Sequence, residues 1–398
     1  MPTDHVPAVS PTPLSVLDRA VEDVRSRSDA WLTISVRDRI HILEESIQRF
    51  AAIQDDWVRR GLVAKDAVDS NSAAGWEWFG GPVPILRYLQ GLRRALTDIS
   101  TRGLPQLPNP ISTRADGTAT ALIYPASSYE RIVTPGVTAE VWMENGQAPE
   151  EVTATQAAEY RRPRTSGSVV LVLGAGNISA IPVLDALYKL FVENQVVVLK
   201  MSPVNAYVGP LIHESFRRLV EGGFLRIVYG DIAEGGHLAH HADVDELHIT
   251  GSDRAYEAIM FGTGEEGARR KREIDPIITK RFTGELGSVG PVIVVPGPWT
   301  VKDLKHQAAE LAGHVGDNAS FSCSRTRLLI THEAWPLRPV LLDKLRDVFA
   351  ETPSRVAYYP GSHDIHNRFV AAHPTAEMWG SDDNGRLPWT LIADVPSG

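Results

Sequence analysis

Val169-Val170-Leu171-Val172-Leu173-Gly174-Ala175-Gly176-Asn177-Ile178-Ser179 is the stretch that decides the fold. Five apolar residues in succession do not alternate, as a strand with one wet face must. They predict a strand covered on both sides, the signature of a parallel sheet. The two glycines end the strand in a tight turn, and Ala180 to Val192 predicts a helix. The rhythm then repeats: a strand at Val196–Leu199, a helix over Asn205 to Val220, a strand at Leu225–Tyr229, a short helix, and a strand at Glu246–Ile249. Strand alternating with helix predicts an α/β fold with a doubly wound parallel sheet.

Outward from this core the character changes. Residues 14–100 read as helical, with Leu43, Ile47 and Phe50 at helical spacing in a charged background. Trp76, Trp78 and Phe79 are expected to pack in a core. Thr118–Tyr124 and Thr138–Trp142 predict two strands of a β arm or hairpin, separated by Pro and Gly. Residues 146–168, with Arg161-Arg162-Pro163-Arg164, read as a polar linker. Beyond Glu285 a second unit begins: a strand at Pro291–Val295, a helix over Val301 to Gly316, a strand at Leu328–Ile330 and a helix around Leu337 to Phe349. The remainder, to Gly398, reads as loop-rich.

Composition narrows the function. The 398 residues exceed one compact core, so two domains are expected. A net charge of -9 argues against nucleic acid. The basic run Arg269-Arg270-Lys271-Arg272 is flanked by acids and reads as a solvated loop or helix face. No stretch reaches the roughly 18 apolar residues of a membrane span. Met1 to Pro13 lacks the features of a signal peptide. A single cysteine excludes an internal disulfide framework and suits a reduced, cytoplasmic setting. Neither the histidines at 237, 240, 241 and 248 nor the pair His363 and His366 has the frame of a metal site, and none is expected.

Five features have chemical potential. Gly174 to Ser179 and Thr250-Gly251-Ser252 both stand at a strand's carboxyl end before a helix, where ligands bind in such sheets. Each equally suits a plain turn capped by Asn177 or Ser252. Lys200 ends a strand and can reach ribose hydroxyls or phosphate, or can simply be a strand-end lysine. Glu285 is a carboxylate among small residues. Cys323 lies in Asn318-Ala319-Ser320-Phe321-Ser322-Cys323-Ser324-Arg325-Thr326-Arg327, a polar loop in which two arginines favour the thiolate.

In order and spacing these pieces resemble the aldehyde dehydrogenase superfamily. The resemblance is strongest from Gly222 to Ser252, at GELGSVGPVIVV around Glu285 and at SFSCSRTRLLI around Cys323, and covers roughly Val36 to Ile330. It implies Cys323 as nucleophile, Asn177 as oxyanion donor and Glu285 as the base that activates water. It implies NAD or NADP as cofactor, with Lys200, Ser202, Gly174, Gly251 and Ser252 around it. It implies a small-molecule aldehyde as substrate, oxidised to a carboxylic acid.

The implied organisation is a dinucleotide-binding domain from 1–118 and 165–284, a β arm and linker over 119–164, and a catalytic domain from 285–398. The arm implies a homo-oligomer if the C-terminal part is supplied, since the family's long stretch after the cysteine is not found and the chain reads as truncated. Ala175-Gly176 stand where the family usually has Pro-Trp, and Pro203 stands where a NAD-selecting Glu often lies. The cysteine loop is one residue short towards Arg327, so Ser322 competes with Cys323 for the aligned position. The basic segment 262–282 is an addition without an evident role. Two alternatives stand beside aldehyde oxidation: a CoA-linked acyl reductase of the same superfamily, and a non-catalytic nucleotide-binding chain.

Overall fold

The computed structural model describes residues 9–144, 146–162 and 164–395. Met1–Ala8, at the start of the segment read as lacking a signal peptide, and Pro163 of the basic linker motif lie outside them.

Four helices open the chain: Leu14–Thr33, Val36–Ala64, Asn71–Phe79 and Pro82–Arg102. Ser35 caps the second by accepting from the Asp38 N–H, which contributes about 1 kcal/mol. Pro82 starts the fourth, and Gly103, at φ 82°, ends it in the left-handed turn that only glycine adopts freely. Trp31, Phe50 and Trp57 are fully buried. Trp76, Trp78 and Phe79 behave differently from expectation. The two tryptophans are half-buried, and Phe79 is 67% exposed. The buried side chains of that helix are Ala73 and Glu77, the latter held by Lys65 at 2.7 Å.

The arm contains β1 (Ser112–Thr113), β2 (Ala119–Tyr124) and β3 (Ala139–Trp142), all antiparallel. The polar stretch read as linker contains two short helices, Pro149–Thr155 and Ala158–Arg161.

The central sheet is built from β4 (Val169–Leu173), β5 (Val196–Lys200), β6 (Leu225–Val228), β7 (Glu246–Gly251) and β8 (Arg281–Leu286). Every pairing is parallel, in the order β6-β5-β4-β7-β8. All residues of β4 and β5 are buried, as their apolar runs require. The order reverses between β4 and β7, which makes their carboxyl ends a topological switch point. Helices Leu14–Thr33 and Ile181–Phe191 join the same apolar core. The predicted helix over Asn205 to Val220 is instead three pieces, Pro203–Val208, Gly209–Ser215 and Arg217–Glu221. The first is a 3-10 turn, and Pro210, which has no N–H, sits at the start of the next piece.

Helix Ile181–Phe191 and the residues after it lie along a polar face of β7 and β8. Asp185 accepts from Thr250 Oγ1 at 2.8 Å. Lys189 bridges Glu193 and Glu246, each at 2.6 Å. Arg281 reaches the same two acids. Parallel registry pairs Glu246 with Arg281, His248 with Thr283 and Thr250 with Glu285. The segment 262–282 forms helix Gly264–Glu273, whose Arg269 pairs with Glu266 and Glu273 of its own turns. This is a solvated helix face.

A second apolar cluster lies beyond Glu285. It includes Leu304, Ala308 and Leu311 of helix Val301–Gly316 and Leu341, Leu345 and Phe349 of helix Arg338–Glu351. Against them pack Val292 and Val294 of β9 (Gly290–Val294) and Leu329 of β10 (Thr326–Thr331), a parallel pair. The opposite face of that pair, with Ile293 and Leu328, is exposed. The end of the chain is more ordered than its sequence suggested. β11 (Arg355–Val356) pairs with β13 (Arg386–Leu387), β12 (Glu377–Trp379) pairs with β14 (Trp389–Leu391), and helix Ser362–Ala372 lies between. Trp389 is buried against Phe349, which closes this part over the second cluster.

Candidate active site

The turn after β4 and the loop before β10 meet. Asn177 Nδ2 donates to the Phe321 carbonyl at 2.8 Å, two residues before Cys323. The Asn177 carbonyl receives Asn318 Nδ2 at 2.8 Å and the Tyr358 hydroxyl at 3.0 Å. An amide nitrogen carries two hydrogens. One is occupied by Phe321, which leaves the other available to a further acceptor.

The loop that carries the cysteine has an unusual backbone. Asn318, Ala319 and Ser320 have φ of 49°, 52° and 71°, three successive non-glycine residues in the left-handed region. Each such conformation costs of order 1 kcal/mol and persists only when its surroundings impose it. Arg327 supplies two bonds, to Ser320 Oγ and to the Ser320 carbonyl, both at 2.7 Å.

Ser322 is only 2% exposed, with its hydroxyl paired to Ser324 at 3.1 Å. Cys323 is partly exposed and free. Arg325 donates to the Ser322 carbonyl. Burial lowers the Arg325 pKa, and the neighbouring Cys323 sulfur offsets part of that shift.

Glu285 is exposed on β8, in register with Thr250. Its carboxylate makes no hydrogen bond among the described residues. Three residues on, Ser288 Oγ donates to the Cys323 carbonyl at 3.4 Å, which ties the exit of β8 to the cysteine loop.

The remaining sequence-predicted residues gather at the carboxyl ends of β4, β5 and β7. Gly174 N–H donates to the Lys200 carbonyl at 3.0 Å. Lys200 is 8% exposed; burial lowers its pKa, while Asp231 and Glu234 counteract. A Cβ on Gly235 would stand 3.8 Å from Leu173 Cδ2 and 3.9 Å from Lys200 Cε, so Gly235 lies against the lysine side chain, while one on Gly236 would meet nothing within 4 Å. Gly251 ends β7, and Ser252 caps helix Asp253–Phe261 by accepting from the Ala255 N–H at 3.1 Å. At Gly176 the space is taken: a Cβ would lie 2.7 Å from Ser202 Oγ and 3.0 Å from the Tyr359 hydroxyl.

Several participants escaped the sequence reading. Tyr358 and Tyr359 come from the stretch read as loop, and only their pairing before Pro360-Gly361 hinted at a fixed turn. Ser288 and Asn318 stood inside the quoted motifs without a role. The histidines, by contrast, take structural partners. His237 contacts Asp18 at 2.5 Å, and His366 contacts Thr390 at 2.9 Å. Among the described residues no group of three or more His, Cys, Asp or Glu is arranged to hold a metal. Likewise, no helix among them is long and apolar enough to cross a membrane.

A sequence profile of the aldehyde dehydrogenase family matches residues 139–352, more than half of the chain. The chain belongs to the aldehyde dehydrogenase family. Solved aldehyde dehydrogenases share its fold. NADP-dependent glyceraldehyde-3-phosphate dehydrogenase from Bacillus halodurans, solved with NADP, aligns with a TM-score of 0.66 at 13% identity. That alignment covers 98% of this chain and 71% of the other. An aldehyde dehydrogenase from Pseudomonas syringae, solved with NAD+ and octanal, gives 0.56 at 17% identity, covering 86% of this chain and 55% of the other. One from Bartonella henselae gives 0.61 at 15%, covering 93% and 65%. This aldehyde dehydrogenase chain therefore spans between about half and about seven-tenths of the length of these relatives. No curated protein matches its sequence.

Proposed function

We propose that this chain carries the machinery for NAD(P)-dependent oxidation of an aldehyde to a carboxylic acid, with Cys323 as the nucleophile. The observation that carries the reading is the junction of the Asn177 amide with the loop of Cys323. It supports the reading because it ties the amide proposed as oxyanion donor to the loop that carries the thiol, from a distant segment of chain. Cys323 is also the better choice over Ser322, which is buried and already hydrogen-bonded.

The Cys323 thiolate attacks the carbonyl carbon. A C–S bond forms, and the carbonyl π electrons move to oxygen. The free N–H of Asn177 and the Cys323 backbone N–H are the donors for that oxyanion. A bound dinucleotide supplies the acceptor for the hydride that leaves as the thiohemiacetal becomes a thioester. Glu285 then takes a proton from water, whose oxygen attacks the thioester carbon; the C–S bond breaks and the thiolate returns. A carboxylate at Glu285, exposed and without a hydrogen bond among the described residues, supports water rather than CoA as the acyl acceptor.

The buried Lys200 at the carboxyl end of β5, with Gly235 against its side chain, supports a site for the ribose end of a dinucleotide. Lys200 would hold ribose hydroxyls there. Gly174, Ser202, Gly251 and Ser252 would border the rest at the switch point. Asp231 and Glu234 face Lys200 electrostatically, which disfavours a 2′-phosphate and favours NAD over NADP. We also assign 1–118 with 165–284 to dinucleotide binding, 285–398 to catalysis, and the exposed Ile123, Val141 and Trp142 of the arm to contact between subunits.

Two measurements test this reading. Calorimetric titration with NAD and NADP should show saturable binding of at least one. Turnover of an aldehyde panel should reduce the bound dinucleotide, and Cys323→Ser should abolish it. A Cys323→Ser protein as active as its parent would remove the thiol from the mechanism.

A further inference from the structure

Tyr358 stands at the centre of a buried cluster that the reaction above does not use. Its ring is flanked edge-on by Phe321 at 5.0 Å, with the Lys65 ammonium 4.8 Å from its centroid. Lys65 is itself fixed by Glu77 at 2.7 Å, with both side chains at most 5% exposed. The hydroxyl lies 3.0 Å from both the Asn177 carbonyl and Asn318 Oδ1. Burial pushes the Tyr358 pKa well up, so the group remains a neutral donor. Asn318, 1% exposed, closes the triangle by donating to the Asn177 carbonyl.

We propose that Tyr358 is a positioning residue for the oxyanion donor. Working with Asn318, it pins the backbone of Asn177 so that one amide N–H is held on Phe321 and the other is directed at the reacting carbonyl oxygen. The proposal rests on the reading of Asn177 and Cys323 given above. Its physical basis is preorganisation: a donor stabilises developing charge best when it does not reorient as the charge appears. Asn177 is fixed by its side chain on one side and by two donors to its carbonyl on the other. The same contacts brace the left-handed backbone at Asn318, so the cluster holds both the donor and the approach to the thiol. The chain of support runs Glu77, Lys65, Tyr358, Asn177, and links the helical N-terminal segment to the chemistry.

The test uses 4-nitrophenyl acetate, an activated ester whose acyl transfer to Cys323 passes through the same oxyanion and needs no dinucleotide. The first-turnover burst of nitrophenolate is followed in the full chain and in Tyr358→Phe, Asn177→Ala and the double variant. Tyr358→Phe should slow the burst about tenfold, the worth of one hydrogen bond, with dinucleotide affinity unchanged. On the Asn177→Ala background it should cost nothing further, because its effect is transmitted through that amide. Asn318→Gly keeps the left-handed backbone accessible while removing both side-chain bonds. It should reproduce the loss, and it serves in place of Tyr358→Phe if that variant does not fold. A Tyr358→Phe burst equal to the parent, losses that add in the double variant, or an equal fall in dinucleotide affinity would each overturn the proposal. A parent chain without a burst, or with one that survives Cys323→Ala, sinks the site itself instead.

Discussion

The side-chain amide of Asn177 and the backbone carbonyl of Phe321 are 2.8 Å apart, although 144 residues of chain separate them. This bond joins the turn after the central strand β4 to the loop that holds Cys323. It also commits one amide hydrogen and leaves the other for the proposed oxyanion. Asn177→Ala should therefore lower aldehyde turnover by about 10²–10³, the typical cost of one oxyanion donor. Alkylation of Cys323 by iodoacetamide measures whether the thiol itself is intact. Equal loss of alkylation and turnover would show that the loop, rather than the donor, had been damaged.

As the proposed dinucleotide ligand, Lys200 should make binding sensitive to alkaline pH. Burial lowers its pKa from the ordinary 10.5, with partial restoration by Asp231 and Glu234. The sign follows directly: the charged form is lost at a lower pH than in a free lysine. Dinucleotide affinity should thus weaken on raising pH before the ordinary lysine range is reached. In Lys200→Arg, whose guanidinium stays protonated, the same titration should be flatter. Parallel pH curves for the two proteins would count against Lys200 as a ligand.

The carboxylates near that lysine should decide between the two dinucleotides. Asp231→Asn combined with Glu234→Gln removes the two negative charges that act on Lys200, the proposed ribose ligand. NADP affinity should rise relative to NAD by about tenfold, a modest screened charge effect. Calorimetry with both dinucleotides on parent and variant reads this ratio directly, and an unchanged ratio would exclude the pair as selectors.

Lys189 is the central cation of the seam between helix Ile181–Phe191 and β7. Its side chain is 2% exposed and contacts two carboxylates at 2.6 Å. Lys189→Met leaves Glu246, itself buried, short of a partner. Removing one member of such a pair typically costs about 3–5 kcal/mol. The urea midpoint should fall accordingly, with Arg281 and Gln195 softening the loss through their own bonds to Glu246. A change below about 0.5 kcal/mol would mean that these two already satisfy the acid.

Glu193 at the end of that seam should set part of the acid sensitivity. Burial alone would raise its pKa, but Lys189 and Arg281 outweigh it, and the net shift is downward. A depressed carboxylate stabilises the fold fully above the ordinary value near 4.5 and loses that contribution as pH falls through its lowered value. The stability gap between parent and Glu193→Gln should accordingly be constant from neutral pH to about pH 5 and shrink below it. A gap that persists undiminished at pH 3 would assign the effect to packing.

Not every element was equally legible. The apolar runs of β4 and β5 were readable because both faces of a parallel strand are buried, and so were Val301–Gly316 and its neighbours. The helix expected over Asn205 to Val220 was not, because its apolar residues keep helical spacing while Pro203, Gly209 and Pro210 divide the backbone. Phe79 misled for another reason: an aromatic in a helix marks a core only if that face meets one, and the buried position next to it went to Glu77. For Tyr358 the local sequence hints at a turn and at nothing more. Its importance comes from contacts 40 and 181 residues away.

The sequence by itself determined the alternation of strand and helix, the parallel sheet, and the family to which the chain belongs. These follow from hydrophobic periodicity and from motifs in fixed order, which are local properties of the chain. Only the tertiary structure decided that Ser322 is enclosed while Cys323 is accessible, that Asn177 has one amide hydrogen committed and one free, and that a tyrosine near the end of the chain braces it. Those are matters of which groups meet across space and which are withheld from water. No periodicity encodes them, because the hydrogen bonds that settle them join segments with no register in common.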